Sequence, residues 1–190
     1  MENYTYLIRR KVFKLFGAAF HIYDPQWRLI GFSNQKAFKL KEDIRVYTDE
    51  SMSQEMLLIQ ARQIIDFSAC YDIYDSETER LLGSWQRKGI SSIFRDSWIL
   101  LDDCGNKIGE IKEDSLILAL FRRFICNLIP QGYKLLLGEQ EQKTEVASYK
   151  QCFNPFIFKL KVNVMPECKL PPQLVLAGGI LLTAIEGRQQ

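Results

Sequence analysis

The chain of 190 residues is poor in several residue types and patterns, and each shortage excludes something. A single histidine, His21, removes every multi-histidine metal site and leaves one imidazole at most to activate a nucleophile. The five cysteines, Cys70, Cys104, Cys126, Cys152 and Cys168, are odd in number, well separated and never form a C-x-x-C pair. That usage reads as reduced thiols in a cytoplasm, not as a disulfide framework. The motifs G-x-S-x-G, G-x-x-x-x-G-K-[ST] and G-x-G-x-x-G are all missing, so the familiar catalytic signatures give no enzyme class. Net charge is also small: 25 Lys plus Arg against 23 Asp plus Glu leave +2, no global case for a nucleic-acid partner. The opening "MENYTYLIRRKV" carries no apolar h-region, and the expectation is a protein made and kept in the cytoplasm.

No apolar run is long enough for a transmembrane span. The longest, Leu174 to Ile185, has twelve residues, or about 18 Å of helix at ~1.5 Å per residue. A bilayer core is about 30 Å thick and needs roughly twenty. A helix apolar on every side and too short to span must be surrounded by protein. Pro171 and Pro172 suit its start, and Ala177, Gly178, Gly179 and Ala184 offer places where strands can approach closely. Each glycine costs about 1 kcal/mol relative to alanine in a helix interior, so the adjacent pair signals close packing.

What is present is mostly strand. Hydrophobic residues make up 47%, charged residues 25% and aromatics 12%, the balance of a globular chain leaning towards β structure, and the length fits one domain over residues 1–190. Three stretches share a plan: "HIYDPQWRLIGFSNQK" from His21, "YDIYDSETERLLGSWQRK" from Tyr71 and "WILLDDCGNKIGEIKE" from Trp98. In each an apolar strand ends in Asp, a polar turn follows, and a Gly comes seven or eight residues after the Asp: Asp24 to Gly31, Asp75 to Gly83, Asp102 to Gly109. These predict three β-hairpins. The intervals of 51 and 27 residues between the Asp positions exclude a regular solenoid or propeller.

Further strands are expected in "KVFKLF", "AFKLKEDIRVYT", "MLLIQARQIID", "GYKLLLGEQ", "TEVASYKQ" and "FIFKLKVNV". The last alternates, with Phe158, Leu160, Val162 and Val164 on one face and Lys159, Lys161 and Asn163 on the other. Ten to twelve strands suffice to close an antiparallel barrel. Two segments depart from the pattern. "DSLILALFRRFICNLIPQG" predicts an amphipathic helix near residues 115–128, capped by Ser115, with Arg122 and Arg123 on its polar face. Ser51 to Gln54 resembles a capping box, yet "MLLIQARQIID" can equally be extended; strand is the reading taken.

Candidate sites are few. His21 reads as a structural or surface residue, since no partner motif accompanies it. Asp102, Asp103 and Asn106 fall short of a calcium loop and read as a turn. Asp66, Asp72 and Asp75 are close in sequence without establishing a catalytic pair. Basic clusters occur at Arg9, Arg10, Lys11 and Lys14, at Arg87 and Lys88, and at Arg122 and Arg123. Of these, Arg10, Lys11, Arg122 and Arg123 are the residues expected to hold an anionic headgroup at a barrel rim.

The hairpin repeat, "QARQIIDFSACYDIYD", "FNPFIFKLKV" and the final "AGGILLTAIEGRQ" together resemble the LURP-one-related family, relatives of the tubby C-terminal domain and the phospholipid scramblases, from about Tyr4 to Arg188. The resemblance implies a mostly β (α+β) fold, a closed barrel of about twelve strands around a buried C-terminal helix. It further implies that basic residues bind phosphoinositide headgroups, as in tubby-like domains. The acidic calcium-binding stretch proposed for scramblases has no counterpart here, because Cys152 to Pro166 contains no Asp or Glu. The proline-rich arm of scramblases is missing too. The expectation is a non-enzymatic, cytoplasmic module, peripheral at an anionic membrane surface and without metal, cofactor or nucleic acid. The alternative is a scaffold or regulatory barrel that recognises a protein, and a scramblase-like role ranks below both.

Overall fold

The computed structural model describes residues 4–13, 17–35, 43–65, 68–88, 97–114, 130–138, 142–152 and 157–185. Within them twelve strands form one closed antiparallel barrel. In chain order they are β1 (Tyr6–Phe13), β2 (Gly17–Tyr23), β3 (Leu29–Gln35), β4 (Ile44–Tyr47), β5 (Glu55–Ile65) and β6 (Ser68–Asp75). They continue as β7 (Leu81–Arg87), β8 (Ser97–Leu101), β9 (Lys107–Glu113), β10 (Gly132–Leu137), β11 (Thr144–Cys152) and β12 (Phe158–Val164). Every strand pairs with its sequence neighbours, and β1 closes on β12 with Ile8 opposite Leu160 and Arg9 opposite Lys159. Closure leaves no edge strand to protect.

Helix α1 (Pro172–Ile185) follows β12 and runs down the barrel axis. All twelve residues from Leu174 to Ile185 are buried, so the apolar run is plugged into the sheet as its length required. No helix among the described residues is long and apolar enough to cross a membrane. The glycine pair is where the wall comes closest. A Cβ added at Gly178 would lie 3.0 Å from Tyr149 Oη and 3.2 Å from the Trp85 ring, and one at Gly179 would lie 2.7 Å from Ile8 Cδ1. The same aromatics hold the helix by polar contacts: Trp85 Nε1 donates to the Leu174 carbonyl at 3.0 Å and Tyr149 Oη to the Val175 carbonyl at 3.0 Å. Burial pushes the Tyr149 hydroxyl far above its ordinary value, so it stays a neutral donor.

The three hairpins of the repeat are β2–β3, β6–β7 and β8–β9, and their common plan has one physical cause. Asp24, Asp75 and Asp102 each accept backbone N–H groups of their own turn: Gln26 and Arg28, Glu77 and Thr78, Cys104 and Asn106. Such Asp-capped turns satisfy amides that a tight reversal leaves unpaired. Each hairpin also carries a register shift, after Ile22, Ile73 and Leu100. The glycine of the repeat sits by it in close contact: an added Cβ would lie 2.8 Å from Ile22 at Gly31, 2.5 Å from the Leu101 carbonyl oxygen at Gly83 and 2.6 Å from the Leu136 carbonyl oxygen at Gly109.

Among the described residues the expected strands are found with shifted bounds, while residues 14–16 of "KVFKLF" and 37–42 of "AFKLKEDIRVYT" lie outside them. "KVFKLF" was expected to start a strand at Lys11, whereas β1 begins at Tyr6; Arg10 points into the barrel and breaks the apolar alternation that would have located it. "MLLIQARQII" is extended, in β5. The helix expected near residues 115–128 lies outside the described residues, as do Arg122, Arg123, Lys14 and Asp66.

Candidate functional site

The antiparallel order alternates side chains between the helix-filled interior and the outer wall. On β1, Ile8 and Arg10 point inward while Arg9 and Lys11 point outward. On β12, Leu160 and Val162 point inward while Lys159 and Lys161 point outward, and on β11 Tyr149 points inward while Lys150 points outward. The registers then stack cations across three adjacent strands. Lys159 is directly opposite Arg9, and Lys150 is directly opposite Lys161. Lys11 extends the same outer face towards β2, where it is opposite Ala19.

Among the described residues, no carboxylate pairs with Arg9, Lys11, Lys150 or Lys159. Lys161 Nζ sits 5.8 Å from the centroid of the Tyr4 ring, a cation–π contact. Five cations therefore gather on three adjacent strands. Like charges set directly opposite each other in a ladder are destabilising.

The four residues expected to hold an anion are placed differently. Lys11 belongs to the basic outer face. Arg10 does not: it is 6% exposed, inside the barrel, with Nη1 donating to the Thr183 carbonyl at 3.2 Å. That contact puts a cation at the C-terminal end of α1, where helix carbonyls and dipole favour positive charge. Arg122 and Arg123 cannot be placed, lying outside the described residues. Arg9, Lys150, Lys159 and Lys161 complete the face.

A second basic cluster has a carboxylate at its centre. Glu110 on β9 faces outward, yet its side chain is 1% exposed because four lysines cover it. Lys143 Nζ lies 2.5 Å and Lys112 Nζ 2.6 Å from Oε1, while Lys88 Nζ lies 3.1 Å and Lys107 Nζ 3.7 Å from Oε2. Burial alone would push this carboxyl up; hydrogen bonds from Lys112, Lys143 and Lys88 outweigh it and hold the group well below the usual carboxylate range. Those ammonium groups are already engaged. Beside them Lys134 bridges Asp114 and Glu145 at 3.3 and 3.1 Å. A cleft of about 570 Å³ opens next to Lys150, but Glu113, Asp114 and Glu145 line it, so its charge is mixed.

The remaining candidates have partners within the protein. His21 Nε2 is 2.9 Å from Glu50 Oε1, and its ring packs against Tyr23 and Phe32. Asp72 accepts two bonds from Arg62, at 2.7 and 2.5 Å, and one from Ser84 at 2.6 Å. Asp102, Asp103 and Cys104 bring three ligand-type atoms together in an exposed turn, and the bonds Asp102 makes to its own backbone account for that geometry.

No protein-family model matches the chain. No curated protein matches it either. A solved structure, that of a protein from Arabidopsis thaliana, is similar over 97% of this chain and 93% of its own, with 10% identity and a TM-score of 0.46.

Proposed function

We propose that this protein is a non-enzymatic barrel that attaches to anionic phospholipid headgroups through the outer face of β11, β12 and β1. One observation carries the proposal: Arg9, Lys11, Lys150, Lys159 and Lys161 share that face with two cation pairs in direct opposition. Each opposed pair costs about 0.2–1 kcal/mol in the free protein. Phosphate oxygens would remove that cost, with Arg9 giving forked hydrogen bonds and the lysines point charges. At about 1 kcal/mol per cation near an anionic surface, five cations amount to ~5 kcal/mol, a sub-millimolar and reversible attachment.

The resemblance of the sequence to the LURP-one-related family points the same way. A non-enzymatic role is supported by the sequence, which carries one histidine and none of the familiar catalytic motifs. The lack of acidic residues from Cys152 to Pro166 argues against calcium-driven lipid movement. The cysteine usage favours a cytoplasmic location, at the leaflet where anionic lipids face the protein.

Co-sedimentation with phosphatidylcholine vesicles, with and without phosphatidylserine, tests the reading. The wild-type protein is expected to prefer the anionic vesicles and to lose that preference in high salt. The double variant Lys159→Gln/Lys161→Gln should bind about 30-fold more weakly while unfolding at slightly higher denaturant, because repulsion is relieved as the site is lost. Equal binding to both vesicle types at low salt would sink the proposal and leave protein recognition as the better account.

A further inference from the structure

The turn between β2 and β3 displays a feature that folding alone does not explain. Trp27 is 59% exposed, and with Met52 at 44% it is one of two large hydrophobic side chains standing in solvent among the described residues. Its backbone is left-handed, with φ of 62°. A bulky side chain rarely adopts that region, which glycine or asparagine fills at less cost.

The turn is also rigidly made. Asp24 Oδ1 accepts the Gln26 and Arg28 amides, both at 2.9 Å, and Oδ2 accepts Arg28 Nε at 2.6 Å. The Trp27 amide donates to the Asp24 carbonyl at 3.0 Å. The Asp24 carboxylate is thus neutralised inside the turn by Arg28. The indole is backed by Tyr23, with ring centroids 5.9 Å apart.

The location is informative. Tyr23 is directly opposite Leu7, and Leu7, itself buried at 2% exposure, is directly opposite Lys161, so the register sets the aromatic pair two strands from the basic face. Two strand spacings, about 10 Å, separate Lys161 from Tyr23. An indole beside a basic face matches the layered chemistry of a bilayer surface, phosphate at the headgroups and an amphipathic ring at their inner boundary. A soluble phosphate compound has no such apolar layer.

We infer that Trp27, backed by Tyr23, is an aromatic anchor that enters the interface of an anionic bilayer while the neighbouring basic face holds the headgroups. The inference rests on the headgroup reading above and specifies its partner as an assembled membrane. Strain in the turn holds the indole out before contact, so little ordering remains to be done on binding.

The protein carries its own probe. Of three tryptophans, Trp85 and Trp98 are 0% and 1% exposed, so emission that changes on vesicle binding comes from Trp27. With phosphatidylcholine/phosphatidylserine vesicles the Trp27 emission should shift to the blue, and brominated phosphatidylcholine in the same vesicles should quench it. Inositol hexakisphosphate, which offers phosphate without an apolar layer, should cause neither change. Trp27→Asn, which keeps a residue tolerant of the left-handed region, should bind the vesicles about tenfold more weakly. Wild-type binding with unshifted, unquenched Trp27 emission would overturn the anchor and leave the headgroup reading standing. So would a blue shift of equal size with inositol hexakisphosphate. Failure of the wild-type protein to bind anionic vesicles at all would overturn both.

Discussion

Replacing Gly178 with alanine puts the fit between helix and barrel to a quantitative test. Two effects of opposite sign compete. Alanine is a better helix former than glycine by about 0.8–1.0 kcal/mol, a gain that would appear in full on an open helix surface. Inside the barrel the new methyl would lie 3.0 Å from Tyr149 Oη, 3.1 Å from Ile111 Cδ1 and 3.2 Å from the Trp85 ring. Tyr149 and Trp85 cannot yield without giving up their bonds to the Val175 and Leu174 carbonyls. Overpacking of this kind costs about 1–3 kcal/mol, so the net expectation is a loss of about 1 kcal/mol. Gly179→Ala is the internal control. Its tightest contact, 2.7 Å, is with the terminal methyl of Ile8, which can rotate aside, so the two effects should nearly cancel. Urea unfolding followed by Trp85 and Trp98 fluorescence reads both variants. Stabilisation of Gly178→Ala by about 1 kcal/mol would refute the reasoning, since the methyl would then have met open space.

Other outcomes follow from the buried charges. Arg10→Met should destabilise the fold by about 2 kcal/mol, through loss of a cation at the carboxyl end of α1, while the folded fraction binds anionic vesicles as tightly as wild type. Reduced vesicle binding by that folded fraction would return Arg10 to the site. Glu110→Gln leaves four lysines without their shared counter-charge and should cost about 2 kcal/mol near neutral pH. The folded carboxyl lies below its unfolded value of about 4.3, so its contribution is complete above that value and disappears only as pH falls through the depressed folded value. The difference between wild type and variant should hold constant from neutral pH down to the ordinary carboxylate range and shrink in stronger acid. Urea midpoints across pH check this; a difference that had already vanished at the ordinary value would contradict it.

The hairpins and the plug were legible from sequence because each depends on local chemistry. An Asp able to cap its own turn and a glycine beside a register shift recur at Asp24/Gly31, Asp75/Gly83 and Asp102/Gly109. The Leu174–Ile185 run declared its burial by being apolar on all sides and too short for a bilayer. The basic face was half visible. Alternation in β12 put Lys159 and Lys161 together, but their opposition to Arg9 and Lys150 arises only when the two ends of the chain meet and the barrel closes. Arg10 misled for a related reason: beside Arg9 and Lys11 it looks like part of one cluster, and the twofold alternation of a strand sends it the other way. Glu110 gave no signal, since Lys88 and Lys143 reach it from just past β7 and from the loop before β11.

The most direct measurement follows backbone amide signals of the isotopically labelled protein as inositol hexakisphosphate is added at low salt. The account predicts shifts concentrated at Arg9, Lys11, Lys150, Lys159 and Lys161, reversed by added salt, with Lys88, Lys107, Lys112 and Lys143 little changed. Shifts centred on the lysines around Glu110, or none at the β11–β12–β1 face, would contradict it.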